Sequence, residues 1–260
     1  MSKMRLEQYI ADRKKGKDIL LMTHIVLGYP SFDDNRDVIK QMVENGVDCI
    51  EMQIPFSEPM ADGSVILKAN QESIANGTTV SDCIKFGGEM ASTYDIPFLY
   101  MTYFNIIYKY GEEEFLNGAQ QAGISGLIVP DLPPEEGADF CKMAQEKDLD
   151  PILIFAPTST DERMKALNNF GSGFIYCTAR RGVTGKQSEF GSDFAGYLTR
   201  CRKATSLPLA VGFGIGSRSD ILELTGKADM AVVGSKTIKL VDERGTEAVA
   251  SFIRELLGND

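Results

Sequence analysis

The chain has 260 residues, 43% hydrophobic and 25% charged, with a net charge of −10 and a sequence pI of about 4.8. That composition is globular, and the length allows two small domains or one α/β barrel of roughly 250 residues. An acidic chain without a long Lys/Arg block is a poor candidate for binding nucleic acid or anionic membranes, although backbone N–H groups can still hold a phosphate locally.

In chain order, residues 1–18 read as an amphipathic helix with a charged face, not a signal peptide, because an apolar core of about 7–15 residues is missing. Short apolar runs then recur: ILLMTHIVLG (19–28), DCIEMQIP (48–55), PFLYMTYF (97–104), GLIVPD (126–131), PILIFAP (151–157), GFIYCTA (173–179), LPLAVGFG (207–214) and MAVVGS (230–235). They are rich in Ile, Val, Leu and aromatics and lack clean polar alternation, as strands buried on both faces do. Helical spacing falls between them, over Asn35–Asn45, Glu112–Ala122, Pro134–Lys147, Thr160–Phe170, Ser192–Ala204, Arg218–Gly226 and Asp242–Leu257. Pro134 at a start and Gly46, Gly123 and Gly226 near ends fit helix punctuation.

Eight strand–helix units behind an extra N-terminal helix predict a (β/α)8 TIM barrel, one domain over residues 1–260, with an open doubly wound sheet as the rival. No apolar run approaches the ~20 residues of a membrane span. Cys49, Cys83, Cys141, Cys177 and Cys201 are odd in number and form no CxxC pair, which suggests free thiols in a reducing, cytoplasmic setting.

Barrels of this kind carry their chemistry at the C-terminal ends of the strands. In the second strand Cys49, Glu51 and Gln53 share one face and Ile50, Met52 and Ile54 the other. The apolar set would face the helices, which points Glu51 into the barrel near its mouth. Desolvation there should raise its pKa and suit it to general acid/base work. The alternative is an ion pair, but the eight runs contain no Lys or Arg. Asp62, before Gly63, reads equally as turn chemistry or as a second functional carboxylate. His24, the single histidine, reads as a packed core residue before a pocket residue. RRGVTGKQSEFGSD (180–193) is long and polar enough for a lid after the sixth strand. GFGIGS (212–217) and GSK (234–236) follow strands seven and eight, where such barrels hold phosphate on backbone amides. Tyr100, Tyr103, Phe104, Phe155, Tyr176 and Phe213 lie in or at the ends of strands, where a few aromatics could line a flat apolar pocket. Metal-ligand spacing, a GxSxG elbow and a nucleotide fingerprint are all missing. The residues thus describe a barrel for proton-transfer chemistry on a small phosphorylated molecule.

IEMQIPFSEPMADG (50–63) resembles the signature of the tryptophan synthase alpha chain family, usually E-L-G-I-P-F-S-D-P-x-A-D-G. LGYPS (27–31), VPDLPPEE (129–136), FAPTS (155–159), RRGVTG (180–185), GFGIGS and VVGSKTIK (232–239) occur in the family's order and spacing. The resemblance implies a lyase that cleaves indole-3-glycerol phosphate to indole and glyceraldehyde 3-phosphate. It implies no cofactor in this chain, and a pyridoxal-phosphate beta chain as partner in an alpha2-beta2 tetramer. By that match Glu51 is the acid/base residue, Asp62 stabilises charge at the indole nitrogen, and Tyr176 lies against the substrate. Gly185, Gly214, Gly234 and Ser235 hold the phosphate, Phe213 and Ile154 or Phe155 line the indole pocket, and Arg180 and Thr184 belong to the lid. Gln53 stands where the family usually has Gly, Glu58 where Asp is common, Ser64 where Pro follows ADG, and His24 where Phe is frequent. A stand-alone indole-releasing lyase, a related phosphate-binding barrel enzyme, and a non-catalytic activator of a beta chain are the alternatives.

Overall fold

The computed structural model describes residues 5–60, 62–178, 192–212 and 214–259. Eight parallel strands close in chain order: β1 (Leu20–Val26), β2 (Cys49–Gln53), β3 (Phe98–Met101), β4 (Gly126–Ile128), β5 (Asp150–Phe155), β6 (Ile175–Thr178), β7 (Leu209–Gly212) and β8 (Met230–Val233). The closing pair runs from Leu20 beside Met230 to Thr23 beside Val233, which rules out an open sheet. Only β5 begins outside its predicted run, by one residue.

The helices are α1 (Leu6–Lys14), α2 (Phe32–Glu44), α3 (Ser64–Ala75), α4 (Val80–Thr93), α5 (Phe104–Tyr110), α6 (Glu112–Gln121), α7 (Ala138–Glu146), α8 (Asp161–Leu167), α9 (Ser192–Ala204), α10 (Arg218–Leu224), α11 (Ser235–Arg244) and α12 (Ala248–Leu257). Two expectations need correction. Pro134 does not open α7: residues 133–137 form a turn closed by Gly137 N–H donating to the Pro133 carbonyl at 2.9 Å. The closing helix is two helices, because Gly245 takes φ +80° and ends α11. α3, α4, α5 and most of α11 lie outside the predicted helical segments.

Strand alternation sorts the core into two layers. Ile50, Met52 and Ile54 join the shell between strands and helices, while Cys49 packs inside the barrel with Leu20, Met22, Leu99 and Phe174. Helix α1 closes the N-terminal mouth. Its Leu6 and Ile10 pack onto the interior cluster, and Tyr9 donates its hydroxyl to the Asp48 carbonyl at 2.9 Å. Asp48, wholly buried, accepts from Arg13 Nη2 at 2.9 Å, from Lys17 Nζ at 2.7 Å and from the Leu21 amide at 3.0 Å. The opposite mouth carries the βα loops, and the functional side chains gather there.

Candidate active site

Glu51 sits in the middle of β2 and points into the barrel, as its parity with Cys49 requires; it is 4% exposed. Its register partner on β1 is His24, and His24 Nδ1 lies 3.2 Å from Glu51 Oε1. His24, also 4% exposed, is therefore both a packed residue and part of the site. Burial pushes its imidazole down. The Glu51 charge and hydrogen bond, followed by the Asp62 charge and Gln53, outweigh that and leave the pKa above the ordinary histidine value. The polar partner that the strands could not offer through Lys or Arg is an imidazole.

Two residues along the same face, Gln53 reaches Asp62: Gln53 Nε2 donates to Asp62 Oδ2 at 2.8 Å. Tyr103, just beyond β3, donates its hydroxyl to the same oxygen at 3.1 Å and stacks on Phe56, with ring centroids 4.9 Å apart. The loop after β2 is further pinned by the Phe56 amide donating to Asn70 of α3 at 2.8 Å. Burial raises the Asp62 carboxyl; the His24 charge and the Gln53 and Tyr103 bonds oppose this, and the net shift is upward. Asp62 is thus tied to Gln53, on the face of β2 that carries Glu51, and is not only a turn residue.

Tyr176 enters from β6, half-buried against the interior cluster that includes Ile154. Its hydroxyl is pushed up by burial first and then by the charges of Glu51 and Asp62, so it stays a neutral phenol. Its ring has room because β7 presents Ala210 beside it and Gly212 two residues on. A Cβ on Gly212 would lie 2.6 Å from both Cε1 and Cζ of Tyr176, closer than carbon atoms can pack.

Phe155 does not reach this space. It has the opposite parity to Ile154, packs in the outer shell, and is wholly buried there. On β5 it is Ile154, not Phe155, that shares the interior face and pairs in register with Tyr176. Phe213, Arg180, Thr184 and Gly185 lie outside the described residues.

The two helices after β7 and β8 differ at their N-termini. In α10 the Ser217 and Asp220 side chains form a capping box, and Asp220 Oδ2 accepts from the Gly216 and Ser217 amides at 2.9 and 3.0 Å. In α11 the N-cap is Gly234, and no side chain caps the helix. Ser235 then stands at the first turn of a ten-residue helix whose leading amides have no side-chain acceptor among the described residues. Gly214, with φ +60°, turns the neighbouring loop.

Sequence reasoning missed that His24 would contact Glu51 and that Gln53 and Tyr103 would hold Asp62. The signal for Tyr103 was available: it shares parity with Met101 on β3, whose side chain faces the interior. Six buried side-chain polar atoms lack a hydrogen-bond partner among the described residues, and three of them fall here: His24 Nε2, Glu51 Oε2 and Gln53 Oε1. Unused hydrogen-bonding capacity concentrated beside buried carboxylates is a feature of sites built to receive something polar.

The model of the tryptophan synthase alpha chain family matches residues 10–257. The chain is 64% identical to the tryptophan synthase alpha chain of Desulfotalea psychrophila, over 97% of this chain and 100% of that one. The chain belongs to the tryptophan synthase alpha chain family. The alpha chain of Desulforapulum autotrophicum is 54% identical, over 96% and 99% of the two chains. A crystal structure of tryptophan synthase from M. tuberculosis in its aminoacrylate-bound form superposes with a TM-score of 0.88 at 27% identity, covering 98% of each chain. A chain of the tryptophan synthase a2b2 complex from Pyrococcus furiosus superposes with a TM-score of 0.86 at 30% identity, over 92% of this chain and 98% of that one. Among the described residues no helix is long and apolar enough to cross a membrane.

Proposed function

We propose that Glu51, Asp62 and Tyr176 carry out the cleavage that this family performs, with Gly214, Gly234 and Ser235 holding the substrate phosphate. As a member of the family the chain is a carbon–carbon lyase of tryptophan biosynthesis. It splits indole-3-glycerol phosphate into indole and glyceraldehyde 3-phosphate and needs no cofactor for that step. It works with a beta chain, which carries the pyridoxal phosphate, in an alpha2-beta2 assembly. The cytoplasm is the compartment we assign, in keeping with five cysteines that are buried and form no disulfide.

The cleavage is a retro-aldol reaction, and its proton count closes on one carboxyl. Glu51 as an acid gives a proton to the indole ring carbon that bears the side chain, and positive charge develops at the ring N–H. The carbon–carbon bond then breaks and its electron pair returns to the ring. Glu51, now a carboxylate, takes the proton of the side-chain hydroxyl as that carbon becomes the aldehyde. Asp62, its Oδ2 accepting from Gln53 and Tyr103, stabilises the charge at the ring nitrogen. Tyr176 provides a neutral wall against the ring. The open N-terminus of α11 suits a phosphate dianion, with the Ser235 hydroxyl as an added donor, whereas the N-terminus of α10 is already occupied by its own Asp220.

One observation carries the assignment. Glu51 Oε2 is buried in the barrel mouth without a hydrogen-bond partner among the described residues, on a carboxyl that acts electrostatically on both Asp62 and Tyr176. Glu51→Gln is expected to lower indole release from indole-3-glycerol phosphate by about 10²–10⁴-fold, the usual size of a proton-transfer contribution. Unchanged indole release by a folded variant would overturn the assignment. Addition of a beta chain should raise the wild-type rate; a chain that stimulates the beta reaction and never cleaves substrate would be an activator instead.

A further inference from the structure

Glu51 has one side-chain partner among the described residues, and that partner is itself titratable. His24 Nδ1 meets Glu51 Oε1 at 3.2 Å, and both residues are 4% exposed. Their remaining polar atoms, His24 Nε2 and Glu51 Oε2, are buried and unbonded. We propose that His24 is a positioning residue for the cleavage: through Nδ1 it fixes the Glu51 carboxyl, and it keeps on that pair the proton that Glu51 delivers to the indole carbon. The proposal rests on the reading of Glu51 as the acid/base residue.

The chemistry explains the need. An ordinary glutamic acid, with a pKa of about 4.3, has lost its proton at pH 7, whereas an imidazole still exchanges one there. A first step that protonates carbon requires a proton on Glu51. A pair holding one shared proton meets that need: the proton passes from Nδ1 to the Glu51 carboxylate, and the neutral acid so formed gives that same proton to the ring carbon, which leaves Glu51 a carboxylate and His24 neutral. When Glu51 later takes the hydroxyl proton, the pair returns to its starting count. One proton leaves and one arrives, so no other donor is required. The imidazole never touches substrate in this scheme; it acts through Glu51.

The surroundings favour the charged imidazole. On β2, Glu51 faces it, and Asp62 follows from the loop beyond. On its other side β8 contributes Met230, Ala231, Val232 and Val233, none of them ionisable. The helices packed on the outside of β1 keep their charges at the surface, Lys68 and Glu72 on α3, and Lys236, Lys239, Asp242, Glu243 and Arg244 on α11. The charged residues of α1 stand at the opposite mouth, where Arg13 is committed to Asp48. Tyr176 faces the two carboxylates as a neutral phenol. Gln53 completes the arrangement. Its Nε2 is committed to Asp62, which leaves Oε1, an acceptor, for an imidazolium N–H, and it favours the charged ring although no bond of ordinary geometry closes that step.

The chain contains one histidine, so a single imidazole signal reports the site. NMR titration of the wild-type chain should place His24 above 6.5, and in Glu51→Gln it should fall below that value because burial is then uncompensated. In kinetics, His24→Phe should cut kcat for indole release to about a tenth or less at neutral pH, change KM about twofold at most, and move the alkaline limb of the kcat–pH profile downward. His24→Gln, which can still donate to Glu51 but holds no titrating proton, should keep the displaced limb. A wild-type titration at or below 6.5, one that Glu51→Gln leaves unmoved, or a His24→Phe enzyme with wild-type kcat and limb would each overturn the role of His24. If Glu51→Gln is inactive while His24→Phe behaves as wild type, only the His24 proposal falls. If Glu51→Gln is fully active, both fall. Should His24→Phe fail to fold, the titration of wild type and Glu51→Gln decides alone.

Discussion

Asp48 and Glu51 are three residues apart, both buried, and treated in opposite ways. Asp48, at the N-terminal mouth, is saturated: Arg13, Lys17 and the Leu21 amide occupy its oxygens. Glu51, at the C-terminal mouth, has among the described residues one imidazole partner and one oxygen left over. A buried carboxylate is costly unless bonded. The first is bonded by Arg13 of the added helix, by Lys17 just beyond it and by the Leu21 amide, and serves the fold. The second is bonded incompletely among the described residues, and we propose that its spare oxygen serves the substrate. The difference lies in the number of partners, since the two exposures, 0% and 4%, are nearly equal.

Paired isosteric variants test that contrast. Glu51→Gln is expected to lose cleavage by about 10²–10⁴-fold while stability moves by less than about 1 kcal/mol. Asp48→Asn should do the reverse. Breaking a buried pair costs 3–5 kcal/mol at full burial, and because Arg13 and Lys17 are 45% and 29% exposed we expect roughly 2–3 kcal/mol, or about 4–12 °C in Tm. The folded Asp48→Asn enzyme should keep kcat within about twofold. Thermal melts alongside indole release would decide it, and a Glu51→Gln variant that melts as early as Asp48→Asn would erase the distinction.

The contrast extends to packing at the C-terminal mouth. There the site needs an absence of side chain: Gly212 leaves the space that the Tyr176 ring fills. Gly212→Ala would drive a methyl into that ring, so the tyrosine must leave its place between Ile154 and Ala210. We expect a stability loss of about 1–3 kcal/mol, typical of overpacking, and a fall in kcat/KM of roughly tenfold. Tyr176→Phe, which keeps the ring and removes only the hydroxyl, should lose less. Equal losses in the two variants would mean that the hydroxyl, and not the ring's position, is what the site uses.

The barrel was legible because buried parallel strands leave a plain signal, runs of Ile, Val and Leu at the spacing of βα units. The missed helices have local reasons. α3 opens with Val65, Ile66 and Leu67 in succession and buries Asn70 and Ser73, which blurs its stripe. α4 contains Gly87 and Gly88, poor helix formers, yet Gly87 is required because its Cβ would lie 2.7 Å from Cζ of Tyr100. At the site, alternation along β2 was enough to aim Glu51 inward. It could not find His24 as the partner, because that depends on the register between β1 and β2, which no local pattern encodes. Nor could it find the cations that satisfy Asp48, since Arg13 of α1 and Lys17 just beyond it lie more than thirty positions away in the chain. Phe155 shows the cost of one residue of phase: Ile154 and Phe155 look alike as apolar candidates, and only register separates pocket from shell.

The smallest effect expected is the most quantitative. His24 has a folded pKa above its unfolded value near 6.5. Its pairing therefore stabilises the chain fully below about pH 6.5, and that contribution is lost as pH rises through the folded pKa. The stability difference between wild type and His24→Phe should then be constant on the acid side of 6.5 and shift against wild type above it. Each unit by which the NMR titration places His24 above 6.5 corresponds to about 1.36 kcal/mol of that change. Urea unfolding of both chains between pH 5.5 and about pH 9 gives the same quantity by an independent route. Agreement would locate the shared proton on the His24–Glu51 pair. A difference that stays flat across the range would place it elsewhere, and Glu51 would then differ from Asp48 only in having fewer bonds.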